Sequence, residues 1–116
     1  MAHTAGASLR LGIDVAKFDA VWEFRESPLF SAAERVAIEF TVAASSQPND
    51  VTDELFARMK QHWTESEIVE ITGVIALFGF LNRWNDTMAT PLEKEPAEIG
   101  ETHLAKKGWS VGKHRG

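Results

Sequence analysis

The chain has 116 residues, of which 44% are hydrophobic, and a formal net charge of -5. This size suits one globular domain, and the hydrophobic fraction excludes a disordered chain. The acidic balance argues against nucleic acid as a partner, because proteins that bind phosphates present a basic face.

Cysteine is absent from the sequence, which excludes disulfides, thiolate metal sites and thiol nucleophiles within these residues. The start, MAHTAGASLRLG, lacks the charged segment and apolar core of a signal peptide. The apolar run over residues 68–81 is shorter than the roughly 20 residues that a membrane span needs. We therefore expect a cytoplasmic protein with no membrane partner.

Short helices are predicted in the first third of the chain. The first predicted helix covers residues 2–11, and Gly12 suits the left-handed conformation that follows a helix end. Asp14 is a candidate cap for a second helix over residues 15–24. Ser27-Pro28 ends that stretch, because proline disfavours helix in the residue before it.

Two capped helices follow. Ser31 and Glu34 form a capping box for a helix that runs to about Ser45, and Thr52 caps the next one. Apolar residues fall on two sides of the first of these helices, so we expect both sides to be covered. One side carries Val36, Ala37, Phe40 and Ala44, and the other carries Ile38 and Val42. The core face of the second consists of Leu55, Phe56 and Met59.

The segment TESEIVEITGVIALFGFLNRWNDTMA, residues 64–89, predicts the longest helix. A capping box at Thr64–Glu67 opens it, and Thr90-Pro91 ends it. A helix that is apolar on most sides must be buried on most sides. We therefore expect this helix at the centre of the helical body and of an oligomer, with Gly73 and Gly79 permitting close approach of neighbouring helices.

A charged tail ends the chain. We predict a helical domain over residues 1–92 and an extended arm over residues 93–116, with at most one helical turn. Four apolar residues can anchor the arm: Ile99, Leu104, Trp109 and Val111. Its basic residues, Lys106, Lys107, Lys113, His114 and Arg115, are interpreted as a solvated terminus, with docking on an acidic neighbouring subunit as the alternative. No strand pattern competes, so the predicted fold class is all-α.

A polar cluster at the end of the long helix is the best candidate binding site: Asn82, Arg83, Trp84, Asn85 and Asp86. These residues either line a pocket for a small molecule or form a network that fixes the register of neighbouring helices. No two histidines have the i, i+4 spacing of a helical metal site, so no metal and no cofactor are predicted. Glu93, Glu95 and Glu98 are interpreted as solvated carboxylates.

The stretches SPLFSAAERVAIEFTVAAS and VTDELFARMKQHWTESEIVEITGVIALFGFLNRWND resemble the carboxymuconolactone decarboxylase / alkylhydroperoxidase (AhpD-like) family, in its peroxidase-related branch. The likeness covers about residues 2–92. Its most specific parts are the pair Glu34-Arg35 and the segment EIVEITGVIALFGFLNRWND. The resemblance implies an all-helical bundle that assembles into dimers, trimers or hexamers.

The resemblance also implies a catalytic motif, CxxCxxxH, in active members of the family. Its second cysteine attacks the peroxide, the first resolves a disulfide, and the histidine shares a proton relay with an upstream glutamate. His3 is the residue that matches; the cysteines would fall before Met1, and the glutamate has no counterpart. We therefore expect a relative of alkyl hydroperoxide reductases of antioxidant defence, without thiol peroxidase activity of its own.

Two alternatives remain open. One is a non-catalytic helical oligomer that serves as an interaction or small-molecule-binding module. The other follows the decarboxylase branch of the family, as a cofactor-independent decarboxylase or hydrolase. Such chemistry needs a base and an oxyanion-stabilising group in one pocket, and the candidate residues for these roles are His62, Arg83 and Asp86.

Overall fold

Six α-helices dominate a computed structural model of the protein. In chain order they are α1 (Ala2–Arg10), α2 (Val15–Asp19), α3 (Ala32–Ala44), α4 (Asp53–Lys60), α5 (Glu65–Met88) and α6 (Lys94–His103). Short 3-10 helices span Val21–Glu23, Ala105–Lys107 and Gly112–Arg115. The structure describes the backbone of residues 1–116 and every side chain except that of Ala2, and this described part contains no strand. The all-α prediction is confirmed.

The chain divides into two compact units. One consists of Met1–Trp22 and Asn85–Gly116, and the other of Glu23–Trp84. Most of α5 therefore belongs to the second unit and its last turn to the first. The predicted boundary at residue 92, between a helical domain and the C-terminal segment, stays a prediction.

The core of the unit Glu23–Trp84 is built by α3, α4 and the start of α5. The five buried residues of this cluster are Val36, Phe40, Leu55, Met59 and Ile68. The prediction that Phe56 belongs to the core face of α4 is wrong, since Phe56 is 37% exposed. Met59 is 0% exposed. The indole N–H of Trp63 donates to the carbonyl of Ala33 at 3.1 Å, which ties the connection before α5 to the start of α3.

Side-chain caps fix where these helices begin. Glu34 N–H donates to Ser31 Oγ at 3.1 Å, and Leu55 N–H donates to Thr52 Oγ1, also at 3.1 Å. At the start of α5 the box is reciprocal: Glu67 N–H donates to Thr64 Oγ1 at 3.2 Å, and Thr64 N–H donates to Glu67 Oε1 at 2.9 Å. These bonds confirm the predicted caps. Each cap satisfies a backbone N–H that the first helical turn leaves unpaired.

Arg35 anchors the segment that precedes α3. Its Nε donates to the carbonyl of Phe24 at 3.2 Å, and Nη2 donates to the carbonyl of Ser27 at 2.6 Å. These bonds satisfy two backbone acceptors in an irregular stretch that has no helical partners for them. Both residues of the Glu34-Arg35 pair thus have local structural roles. Glu34 takes part in the cap of α3, and Arg35 holds the segment before it.

The other unit is organised around α1 and α6, which pack against each other. Ala5 and Leu104 are buried there, and the ring of Trp109 covers Gly100 so closely that a Cβ at that position would lie 2.4 Å from the ring. The expectation of an extended arm is wrong, since α6 is a helix of ten residues. A charged segment needs only one apolar stripe to be stabilised as a helix by packing.

The burial of α5 also differs from the expectation. Ile68 is its one buried residue among those described, while Ile71 and Ile75 are partly buried against the core. Its large exposed side chains retain between 37% and 70% of their accessible surface: Val69, Val74, Leu77, Phe78, Phe80, Leu81, Trp84 and Met88. Within one chain α5 is therefore not the buried centre, because the core of its unit meets a single stripe of the helix.

A similar difference concerns α3. Its second apolar side, which we expected to be covered, leaves Val42 exposed. No helix among the described residues combines the length and apolar character that a membrane crossing requires.

Candidate functional site between α1 and α6

An open cavity of about 270 Å³ lies between α1 and α6, within the unit formed by Met1–Trp22 and Asn85–Gly116. Its lining residues are His3, Gly6, Arg10, Glu93, Glu95, Pro96 and Ile99. Four of them are ionisable and the others are apolar or small. The cavity thus combines a charged rim with a small apolar floor.

His3 and Glu93 form one side of this rim. Nε2 of His3 lies 2.7 Å from Oε2 of Glu93, although both side chains are largely exposed. Glu93 occupies the N-cap position of α6. A hydrogen bond from its own backbone N–H, and then the hydrogen bond and charge of His3, lower the pKa of Glu93. The carboxylate therefore stays ionised and accepts the imidazole N–H.

Arg10 and Glu95 form the opposite side, with Nη1 of Arg10 3.0 Å from Oε1 of Glu95. Between the two pairs, Gly6 approaches α6 closely: a Cβ built on it would lie 3.0 Å from Cδ1 of Ile99. The glycine therefore lets α1 approach α6 closely at the floor of the cavity.

The chemistry open to this arrangement is proton transfer and hydrogen bonding. A carboxylate beside an imidazole orients the ring, as in many general acid–base sites. The lining residues include no thiol or hydroxyl group that could form a covalent intermediate. His3 is thus placed to take or give a proton at the cavity, whereas Arg10 is paired with the carboxylate of Glu95.

The predicted cluster at residues 82–86 lies elsewhere in the chain. Asn82, Arg83 and Trp84 are exposed on α5, and the ring of Trp84 lies 6.2 Å from that of Phe80. None of the five cluster residues is among those that line the α1–α6 cavity. Their assignment as a binding site stays a prediction.

Asp86 holds the C-terminal segment. Its Oδ1 lies 3.4 Å from Nζ of Lys113 and 3.5 Å from Nε2 of His114. Nδ1 of His114 in turn lies 2.9 Å from the carbonyl of Thr90. The basic residues 113 and 114 are therefore tied to the end of α5, and a wholly solvated terminus is not what the structure contains.

Sequence reasoning missed Arg10, Glu93 and Glu95 as site residues. The two glutamates were taken for solvated carboxylates of a tail, and they are indeed exposed, but Glu93 pairs with His3 and Glu95 with Arg10. No local signal identified them, because acidic residues suit the start of a helix only where a helix is expected, and none was predicted over residues 94–103. Among the described residues, no three His, Asp or Glu side chains gather as a metal site would require.

No family model matches the chain. It is 39% identical over 77 residues to the uncharacterized protein YnjA of Escherichia coli, an alignment that covers 66% of this chain and 42% of YnjA.

The fold is similar to that of a solved enzyme, the debrominase Bmp8. The match to a cysteine-to-alanine variant in complex with 2,3,4-tribromopyrrole has a TM-score of 0.81 at 32% identity and covers 87% of this chain and 54% of that one. The match to the apo enzyme has a TM-score of 0.80 over 86% of this chain. The chain spans about half the length of the proteins it matches. This all-helical similarity is consistent with the resemblance to the AhpD-like family.

Proposed function

We propose that this chain is an AhpD-like protein related to alkyl hydroperoxide reduction, which assembles as a homo-oligomer and has no thiol peroxidase activity of its own. The observation that carries the proposal is the similarity to a helical enzyme over 87% of the chain, at a TM-score of 0.81. Within that fold His3 keeps a carboxylate partner at a cavity, whereas the sequence contains no cysteine.

The proposed role of the cavity is proton handling without covalent chemistry. Peroxide reduction by this family depends on thiolates, since the thiolate is the nucleophile. The 116 residues supply the imidazole and, in Glu93, a carboxylate that comes from the C-terminal part of the chain instead of from an upstream position. Any cysteine chemistry would have to come from outside these residues.

The direct test is peroxide consumption with a dithiol reductant, measured for the purified chain and for His3→Ala. We expect both proteins to consume cumene hydroperoxide and hydrogen peroxide at the rate of the protein-free control. A rate well above that control, lost in His3→Ala, would contradict the absence of peroxidase activity.

A second candidate function is non-catalytic binding of a small molecule. The observation that favours it is the similarity to an enzyme solved with 2,3,4-tribromopyrrole, a small planar halogenated ring. The cavity of about 270 Å³ has room for a ligand of that class, with an apolar floor for the ring and charged groups for a ring N–H.

Calorimetric titration with 2,3,4-tribromopyrrole tests this candidate. If the α1–α6 cavity binds it, His3→Gln weakens binding by about tenfold, which corresponds to roughly 1.4 kcal/mol. The matched control is Arg83→Gln, an exposed cation outside the cavity, which should leave the affinity unchanged. The reverse pattern would place the ligand at residues 82–86 instead, and no heat of binding to the parent protein would end the candidate.

A further inference from the structure

The helix α5 carries two apolar stripes on opposite sides. One consists of Ile68, Ile71 and Ile75 and packs on the core of the unit Glu23–Trp84. The other, which we call the open stripe, lies on the far side of the helix. With 3.6 residues per turn, its members fall within an arc of roughly 120° around the helix axis. Its members are Val69, Gly73, Leu77, Phe80, Leu81 and Trp84, and the five that have side chains are all exposed.

Side-chain size changes along the open stripe. Its first half contains Val69 and Gly73, and its second half contains Phe80 and Trp84, with Leu77 between the halves. Small residues therefore precede the midpoint and aromatic residues follow it. The rings of Phe80 and Trp84 contact each other, with centroids 6.2 Å apart, so they form one broad apolar projection.

We propose that the open stripe binds the open stripe of a second copy of this chain in antiparallel orientation, about a two-fold axis next to Leu77. That axis places Phe80 of one copy over Gly73 of the other, and Trp84 over Val69. On both sides of the axis, large side chains then face small ones, as close packing requires. A parallel pair would instead set aromatic rings against aromatic rings and leave a gap between the two glycines.

Gly73 supports this assignment independently. A glycine inside a helix costs about 1 kcal/mol relative to alanine, so its presence calls for a reason. Within the described chain, a Cβ built on Gly73 meets no atom within 4 Å. The close approach that this glycine permits is therefore not made by the chain itself, and a partner helix fits the open space.

The area of the stripe suits a partner of this kind. From the exposed fractions of its five side chains, 37% to 70%, the stripe presents on the order of 500 Å² of apolar surface. Each partner in a standard interface buries about 800 Å², of which roughly 56–65% is apolar. The open stripe thus provides the apolar centre of an ordinary dimer interface.

This inference rests on the homo-oligomeric part of the proposed function and specifies its symmetry. A monomeric chain would refute both the assembly and the pairing. An oligomer that lacks the Gly73 to Phe80 contact would refute the pairing alone. Neither result would bear on peroxide chemistry or on the cavity between α1 and α6.

Two glycine variants form the first experiment. Gly73→Leu fills the notch in the open stripe, and Gly79→Leu makes the same change elsewhere on α5, where a Cβ also meets nothing within 4 Å. Both chains should fold, as circular dichroism can establish. In sedimentation equilibrium we expect Gly73→Leu to weaken dimerisation at least tenfold and Gly79→Leu to leave it unchanged. Equal effects of the two variants would overturn the proposal.

Engineered cysteines then test the orientation, since the chain has no thiol of its own. A mixture of Gly73→Cys and Phe80→Cys chains should form a disulfide-linked heterodimer on mild oxidation, with one Phe80 to Gly73 contact left intact. Each variant alone should cross-link several-fold less. Preferential self-linking of the Gly73→Cys chain would indicate a parallel pair, and absence of the mixed product would likewise overturn the antiparallel assignment.

Discussion

The imidazole of His3 lies 2.7 Å from the carboxylate of Glu93, a residue 90 positions later in the sequence. The contact links the first helix to the N-terminus of the last one and sets one side of the α1–α6 cavity. The two residues meet only through the packing of α1 on α6, so no local sequence pattern predicts this pair.

The first prediction concerns the titration of Glu93. Its pKa is lowered by its own backbone N–H and then by His3, so His3→Ala should raise the pKa partway towards the ordinary value. Because the folded pKa is depressed, the stabilising effect of the carboxylate is present above the ordinary pKa and fades as pH falls. Carbon-detected NMR titration measures the shift, and Arg10→Ala is the control. An unchanged Glu93 pKa in His3→Ala would contradict the contact.

The second prediction concerns the bidentate pair of Arg58 and Glu39, with Nη–Oε distances of 3.0 and 2.8 Å. The hydrogen bond from Arg58 is the main cause that lowers the pKa of Glu39. A double-mutant cycle with Arg58→Met and Glu39→Gln should give a favourable coupling at pH 7. That coupling should fade as pH falls through the lowered pKa of Glu39, because the protonated carboxyl loses the charge that pairs with Arg58. A coupling that does not change between pH 7 and a pH low enough to protonate Glu39 would show that charge is not its source.

The third prediction concerns the start of α5. Thr64→Ala removes the hydroxyl that accepts from Glu67 N–H and should lower the free energy of unfolding by about 1 kcal/mol. Ser66→Ala, an exposed change in the same turn, should stay within about 0.5 kcal/mol of the parent. Urea denaturation measures both. Equal losses in the two variants would mean that the cap contributes nothing specific.

The fourth prediction concerns Gly100 under the ring of Trp109. A Cβ at this position would lie 2.4 to 2.7 Å from three ring atoms, so Gly100→Ala must displace the ring. We expect a net loss of about 1–2 kcal/mol, after the gain in helix propensity is counted. Gly79→Ala gains the same propensity in open space and should stabilise the protein by about 0.5–1 kcal/mol. Thermal unfolding distinguishes the two, and stabilisation by both variants would contradict the packing of Trp109.

The helices that could be predicted from sequence are those with local signals. The caps at Ser31, Thr52 and Thr64 fix the starts of α3, α4 and α5 through bonds within three residues. Likewise Gly12, with φ of +84°, adopts the left-handed conformation expected after α1. Such features depend on short-range geometry, which the sequence contains directly.

Burial and the cavity depended on contacts that no local pattern encodes. An apolar run predicts that α5 is covered, but not whether its own chain or another one covers it. In the same way the charged residues after Pro91 suggested an extended arm, whereas α6 is formed and packs on α1. The partners of Glu93 and Glu95 follow from that packing alone.

The exposed apolar surface of α5 is the feature on which the proposed assembly depends, and the mass of the protein in solution tests it most directly. Light scattering across a micromolar concentration range should give twice the 12.9 kDa mass of one chain, or a multiple of that dimer mass. A well-folded protein that stays at 12.9 kDa throughout the range would contradict the assembly and leave the open stripe without its proposed partner.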